Sequence, residues 1–188
     1  FCEAVTVSVR MEALESAIAE GGADYTELTG RFIDGERAHE LGLVHELAAP
    51  GEPFEVCGFD VTLAPVEHPP LPCYGASITD DEANLALTGD TSFDVPAASK
   101  RVLSDPDLLL ADAIVPAHIA DQHGAPAADY VDGVPYTFAE KHMTREGALA
   151  LADDLGADQT RLVHVSHFYP ADEAFADPLA VDGETHTI

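Results

Sequence analysis

The stretch LALTGDT, residues Leu85–Thr91, predicts a short buried strand that breaks into a polar turn at Gly89-Asp90. Three other apolar runs also end at a polar side chain, namely His68, Asp112 and His164. In layered sheets, functional sites gather at the carboxyl ends of strands. The sequence therefore predicts a cluster of functional side chains where these strands end.

Strand and helix patterns alternate along most of the chain, which is typical of a layered α/β protein. Apolar runs predict strands at residues 5–9, 54–56, 59–63, 74–78, 85–88, 108–111 and 162–165. Helical patterns lie at residues 11–19, 35–41, 96–103 and 148–155, and a short acidic helix is expected from Asp172. The segment from His118 to Phe138 is rich in Gly, Pro and Asp and predicts a loop. We expect a single domain, residues 1–188.

The charge balance is strongly acidic, with 35 Asp and Glu residues against 8 Lys and Arg and a formal net charge of −27. Because the acidic residues alternate with apolar segments, we expect a folded protein with a carboxylate-covered surface, as in salt-loving organisms. Nucleic-acid binding, which needs clustered Lys and Arg, is disfavoured. No apolar stretch approaches the roughly 20 residues of a membrane helix. The cysteines form no CxxC pair, and a cytoplasmic location is expected.

Histidine and aspartate side chains supply the imidazole nitrogens and carboxylate oxygens that a dinuclear hydrolytic site needs. Each candidate also has an ordinary explanation. His68 fits a loop histidine, Asp90 fits a turn aspartate that caps local amides, and His164 fits a buried core histidine. His142 could simply precede Thr144, the N-cap of the next helix. Their order and spacing carry more information than any one of them.

Four short motifs, taken together, resemble the metallo-β-lactamase superfamily. They are VEHPPLPCYG at residues 66–75, LTGDT at 87–91, KHMT at 141–144 and LVHVSH at 162–167. Within that superfamily the set is most similar to the phosphodiesterase branch. This branch includes ribonuclease Z and the cyclic-phosphate phosphodiesterase associated with carbon–phosphorus lyase operons. A second likeness, between residues 28–44 and enoyl-CoA hydratase relatives, covers one helix-turn pattern and is interpreted as coincidence.

The resemblance implies a four-layer αββα fold and two divalent metal ions, with zinc expected and manganese or iron as alternatives. His68 would be a terminal ligand of one metal, Asp90 the bridging carboxylate, and His164 a ligand of the other metal. His142 would stabilise the phosphate or protonate the leaving alkoxide. Asp112 and His167 would contact these residues without binding a metal themselves, and Asp112 could orient His142 or His164.

The superfamily's first metal motif, His-x-His-x-Asp-His, has no match in the chain. We therefore expect a fold that is incomplete at its N-terminus, with the motif upstream of Phe1, and little or no hydrolysis by this chain alone. For the whole protein, the resemblance implies a phosphodiesterase that acts on small cyclic or nucleotide-like phosphate esters. A ribonuclease Z-like tRNA 3′ endonuclease and a metal-free remnant that serves as a binding module are the alternatives. A homodimer, common in such relatives, is left open.

Overall fold

A computed structural model describes residues 35–40, 42, 44, 47–80, 82–123 and 138–188. The chain divides into two compact units, Phe1–Glu52 and Pro53–Ile188. In the first unit, helix α1 (Gly35–Glu40) confirms the helix predicted there. The strand predicted at residues 5–9 and the helix predicted at 11–19 lie outside the described residues. None of the helices in the described ranges is long and apolar enough to cross a membrane.

The second unit is built on a six-stranded sheet whose strands lie side by side in chain order. The strands are β1 (Pro53–Val56), β2 (Phe59–His68), β3 (Leu71–Thr79), β4 (Asn84–Leu87), β5 (Leu108–Asp112) and β6 (Gln159–Val163). Strands β1 to β4 pair in antiparallel fashion, and β4, β5 and β6 pair in parallel. This mixed sheet, with helices between its parallel strands, confirms the predicted α/β class.

The pairing directions bring four strand ends to one edge of the sheet. Two antiparallel pairings separate β2 from β4, and the next two pairings are parallel, so β2, β4, β5 and β6 all run in the same direction. His68 is the last residue of β2, and Asp112 is the last residue of β5. Asp90 and His164 follow β4 and β6 by one to three residues. The topology therefore gathers these side chains at the carboxyl edge.

The helices of this unit connect the parallel strands. They are α2 (Ala97–Val102), α3 (Ala117–His123), α4 (Phe138–Lys141) and α5 (Arg145–Leu155). Thr144 caps α5, its hydroxyl accepting the Gly147 N–H at 3.1 Å, and Gly156 ends the helix with a left-handed φ of 74°. Leu151 of α5 packs in the buried core with Leu109 of β5. The cap fixes where α5 begins, three residues after His142.

Two predictions between β5 and the end of β6 are wrong. Residues Ala117–His123 form α3 rather than part of a loop, because Pro116 directly precedes them and favours the start of a helix. The last strand ends at Val163, so His164 lies beyond it and not inside an apolar strand. Residues 124–137 of the expected loop lie outside the described residues.

The short acidic helix expected from Asp172 is also wrong. That segment forms turns, in which the Pro170 carbonyl accepts the N–H groups of Glu173 and Ala174, both at 2.9 Å. Pro178 follows closely and cannot continue a helix. The described residues contain one sheet, so the second sheet of the predicted four-layer architecture is not among them.

Two glycines let β3 approach the turn that follows β4. A Cβ atom on Gly75 would lie 2.7 Å from the Leu87 carbonyl oxygen. A Cβ atom on Gly89, whose φ is +61°, would lie 2.5 Å from the Tyr74 carbonyl oxygen. Because these neighbours are backbone atoms, they cannot rotate away as a flexible side chain could. The close approach fixes the position of the next residue, Asp90.

Replacing Gly89 with alanine should destabilise the chain more than the same change at Gly58, which serves as the matched control. Both glycines have positive φ values, +61° and +88°. Both variants therefore carry the cost of a left-handed L-residue, about 1–2 kcal/mol. A Cβ atom at Gly58 meets nothing within 4 Å, whereas overpacking at Gly89 should cost a further ~1–3 kcal/mol. Denaturant unfolding measures the difference, and equal losses would contradict the close approach.

Candidate metal centre

One buried carboxylate, that of Asp112, is the centre of the cluster at the sheet edge. Its side chain is 1% exposed. Its Oδ1 accepts a hydrogen bond from His164 Nδ1 at 3.0 Å. Its Oδ2 accepts from His142 Nδ1 at 3.0 Å and from the backbone N–H groups of Thr91 and Met143 at 3.2 and 3.3 Å. A buried charge is costly unless it is paired, and these four protein donors supply that pairing for Asp112.

Two fully buried threonines connect the strand ends to one another. Thr88 Oγ1 accepts the backbone N–H of Asp112 at 2.9 Å, which joins the end of β4 to the end of β5. Thr91 Oγ1 accepts the backbone N–H of Glu67 at 3.2 Å, which joins the same turn to β2 beside His68. The turn that carries Asp90 is therefore held on both sides.

His142 and His68 face each other through their ring nitrogens. The bond to Asp112 indicates that His142 carries its proton on Nδ1 and keeps a lone pair on Nε2. That Nε2 lies 3.3 Å from His68 Nε2, and the rings meet at 70°. His68 Nδ1 is buried without a hydrogen-bond partner. Burial, and after it the charge that His142 carries when it is protonated, lowers the pKa of His68 and favours a neutral ring.

His164 and Asp90 form the more open side of the cluster. His164 has a left-handed backbone, with a φ of 63°, which is uncommon for a residue other than glycine. This conformation directs its ring toward Asp112. Asp90 Oδ1 lies 3.5 Å from His164 Nδ1, and the two side chains are 45% and 42% exposed. Asp90 thus presents its carboxylate to open space, whereas Asp112 does not.

The side chains at this edge fit a divalent metal ion. One ligand atom from each of Asp90, Asp112, His142 and His164 lies within 4.8 Å of the others. Imidazole nitrogens and carboxylate oxygens suit zinc, manganese and iron alike. Asp112 accepts hydrogen bonds from Nδ1 of both His142 and His164, which leaves the Nε2 atom of each ring as the nitrogen that can bind a metal or a proton. His68 lies beside this group, with its Nε2 atom 3.3 Å from His142 Nε2.

A family model described as the beta-lactamase superfamily domain matches residues 17–165, a range that includes the whole sheet and the cluster. The chain belongs to this superfamily. The membership of the metallo-β-lactamase superfamily predicted from the four motifs is thereby confirmed, and with it a superfamily of generally hydrolytic enzymes. No curated protein is similar enough in sequence to match the chain.

Solved structures of this fold are similar to the chain over about two thirds of its residues. The metallo-beta-lactamase fold protein YhfI from Bacillus subtilis is 24% identical, with a TM-score of 0.49, over 66% of this chain and 44% of that protein. The short form of human tRNase Z is 20% identical, with a TM-score of 0.47, over 61% and 38%. A diphosphatase of the PhnP family is 26% identical, with a TM-score of 0.46, over 67% and 40%. The chain thus spans less than half of the length of each of these proteins.

The structure gathers five of the six residues predicted for the site at one sheet edge. They are His68, Asp90, Asp112, His142 and His164. Their roles as metal ligands, positioning groups or catalysts stay predictions, as does the narrower likeness to the phosphodiesterase branch. The ring of the sixth residue, His167, lies against that of Phe168 with centroids 3.9 Å apart, and its role also stays a prediction.

Sequence analysis missed the two threonines that hold the turn. Thr88 and Thr91 belong to the LTGDT motif, where Asp90 alone was singled out. The available signal was a pair of hydroxyl side chains on either side of a tight turn that follows an apolar strand. Such residues often bond to nearby backbone groups, but here both bind backbone N–H groups more than 20 residues away.

Replacing Asp112 with asparagine should weaken zinc binding by about 10–100-fold, because an amide cannot accept from both histidine Nδ1–H groups. Asp107→Asn is the matched control. Asp107 lies at the opposite end of β5, and its Oδ2 accepts the Asn84 N–H at 2.7 Å. Zinc titration against a competing chelator measures both variants, with circular dichroism to verify folding. Unchanged zinc affinity in Asp112→Asn would show that the carboxylate does not orient the ligands.

Proposed function

We propose that the complete polypeptide carrying this sequence is a metal-dependent phosphodiesterase that acts on small cyclic or nucleotide-like phosphate esters. The observation that carries the proposal is the pairing of Asp112 with Nδ1 of both His142 and His164, each at 3.0 Å. This pairing leaves a lone pair on each Nε2 atom. One can bind a metal, and the other can exchange a proton with substrate. Superfamily membership supports hydrolytic chemistry at the same residues.

His68, Asp90 and His164 are the proposed metal ligands, with zinc as the first candidate and manganese or iron as alternatives. Bound divalent ions would supply Lewis acidity toward the phosphate oxygens. The open position of Asp90, which is 45% exposed, supports its assignment as the carboxylate shared between two ions. Three ligands are fewer than two ions need. We therefore assign little or no hydrolysis to these residues without further ligands.

His142 is the proposed catalytic residue. Its side chain is 11% exposed, and its Nδ1–H donates to the Asp112 carboxylate. A buried carboxylate at this position keeps the ring oriented and stabilises the positive charge that forms when Nε2 takes up a proton. The ring can then donate that proton to a leaving oxygen or bind a phosphate oxygen.

The charge distribution supports a small substrate over tRNA. Several basic side chains are paired with carboxylates on the described surface. These pairs are Lys100–Asp154 at 2.8 Å, Arg161–Asp177 at 3.3 Å and Arg145–Glu173 at 3.8 Å. Binding of an extended RNA requires clustered Lys and Arg against its phosphates, and the net charge is −27. The tRNA endonuclease alternative therefore has less support.

The zinc-loaded complete polypeptide is expected to hydrolyse bis(p-nitrophenyl) phosphate or a 2′,3′-cyclic nucleotide. His142→Ala should lower kcat by about 10²–10⁴-fold through loss of proton transfer, with a smaller change in KM. His118→Ala, which changes an exposed histidine on α3, is the matched control and should retain activity.

Three outcomes separate the alternatives in a parallel assay with precursor tRNA. Hydrolysis of a small diester that depends on His142 supports the proposal. Cleavage of precursor tRNA alone would replace it with the endonuclease. Absence of hydrolysis of all three substrates, with zinc shown to be bound, would leave the non-catalytic binding module.

A further inference from the structure

We propose that Phe168, on the loop that follows β6, stacks against the nucleobase of the substrate and so selects nucleotide esters over phosphate esters that carry no base. Phe168 determines specificity and binds no metal. Its assignment rests on the proposed phosphodiesterase function, because it names the substrate class of that same site.

The loop after β6 begins on the open side of the cluster. His164, which is 42% exposed, is its first residue, and Phe168 follows four residues later. Between them, the Ser166 N–H donates to the Ile114 carbonyl at 3.0 Å, which holds the loop beside the end of β5. Four residues span at most about 14 Å even when fully extended. A nucleotide whose phosphate lies at His164 can therefore extend its base toward Phe168.

Hydrogen bonds within the loop hold Phe168 in one position. Its N–H donates to Ser166 Oγ, and the N–H of Tyr169 donates to the Ser166 carbonyl, both at 3.0 Å. Tyr169 is 6% exposed and belongs to the buried core. Because the loop is anchored on both sides of Phe168, binding of a base orders little additional chain, and the entropic cost of binding stays small.

The ring of Phe168 is paired with a second aromatic ring and is still exposed. Phe168 is 41% exposed, and its ring centroid lies 3.9 Å from that of His167, with the planes tilted by 37°. A single exposed phenylalanine needs no special explanation. Two adjoining rings on an anchored loop beside the cluster form an aromatic surface, and stacking on such surfaces binds nucleobases with little preference among them.

The charges near the loop favour an uncharged base over a further phosphate at this position. Asp172 and Glu173 follow Phe168 within five residues, and the formal net charge of the chain is −27. Carboxylates repel a second phosphate, whereas they do not repel a neutral base. The substrate class that agrees with both the cluster and the loop is therefore a single nucleotide ester, such as a 2′,3′-cyclic nucleotide, rather than a polynucleotide.

Steady-state kinetics of the zinc-loaded complete polypeptide test the assignment with two cyclic phosphate diesters. One is 2′,3′-cyclic AMP, and the other is glycerol 1,2-cyclic phosphate, which has the same kind of cyclic ester but no base. Phe168→Ala should raise KM for the cyclic nucleotide at least about fivefold, in line with the loss of one stacking contact, and leave kcat unchanged. The kinetics of the base-free ester should not change.

Two further variants separate stacking from a structural role. Phe168→Tyr keeps an aromatic ring and should retain the KM of the unmodified polypeptide. Phe175→Ala, the matched control, removes another phenylalanine of the segment after β6, one that is 77% exposed. Equal losses with both esters, or an unchanged KM for the cyclic nucleotide in Phe168→Ala, would overturn the proposal.

Binding of adenosine 3′-monophosphate, measured by NMR titration, keeps this test separate from the proposed function. Because binding needs no catalysis, absence of hydrolysis would refute the proposed function alone. The nucleotide should shift the ring resonances of Phe168, and its Kd should rise at least about fivefold in Phe168→Ala. Absence of binding to the unmodified polypeptide, or equal binding by Phe168→Ala, would contradict the assignment of Phe168.

Discussion

The buried Asp112 carboxylate constrains more of this structure than any other side chain. It stands at the end of β5 and receives donors from three separate segments, namely the turn after β4, the residues before α5 and the residue after β6. Burial of a carboxylate costs several kcal/mol unless its oxygens are paired. Displacement of any one segment would leave part of that charge unpaired, so Asp112 determines where each segment can lie.

Asp112 can hold these groups because strand direction brings them to the same edge. Strand β3 is antiparallel to both β2 and β4, so β4 runs in the same direction as β2. His68, the last residue of β2, therefore lies at the same edge of the sheet as the turn after β4. Gly75 and Gly89 then allow the backbones to approach more closely than a Cβ atom permits. Without that approach, Thr91 could not reach both Glu67 and Asp112.

The strands and the edge at which the site lies could be predicted from the sequence, because apolar runs and the polar residues that end them are local patterns. The left-handed backbone of His164 could not be predicted from the sequence, because its ring is held by Asp112, 52 residues away in the chain. Helix α3 was hidden by the Gly- and Pro-rich composition that follows it, although Pro116 offered a start signal. The superfamily could be predicted because four short motifs occur along the chain in an order that resembles that of the superfamily.

Two aspartates at the same edge show why residue type alone does not assign a role. Asp90 and Asp112 each follow or end an apolar strand, and both lie near His164. Asp112 is 1% exposed and its oxygens accept four hydrogen bonds, three at Oδ2 and one at Oδ1, so most of its acceptor capacity is used by protein groups. Asp90 is 45% exposed, and its Oδ1 lies 3.5 Å from Nδ1 of His164. A bridging carboxylate must present oxygens toward two ions at once, and the greater exposure of Asp90 supports its proposed assignment to that role.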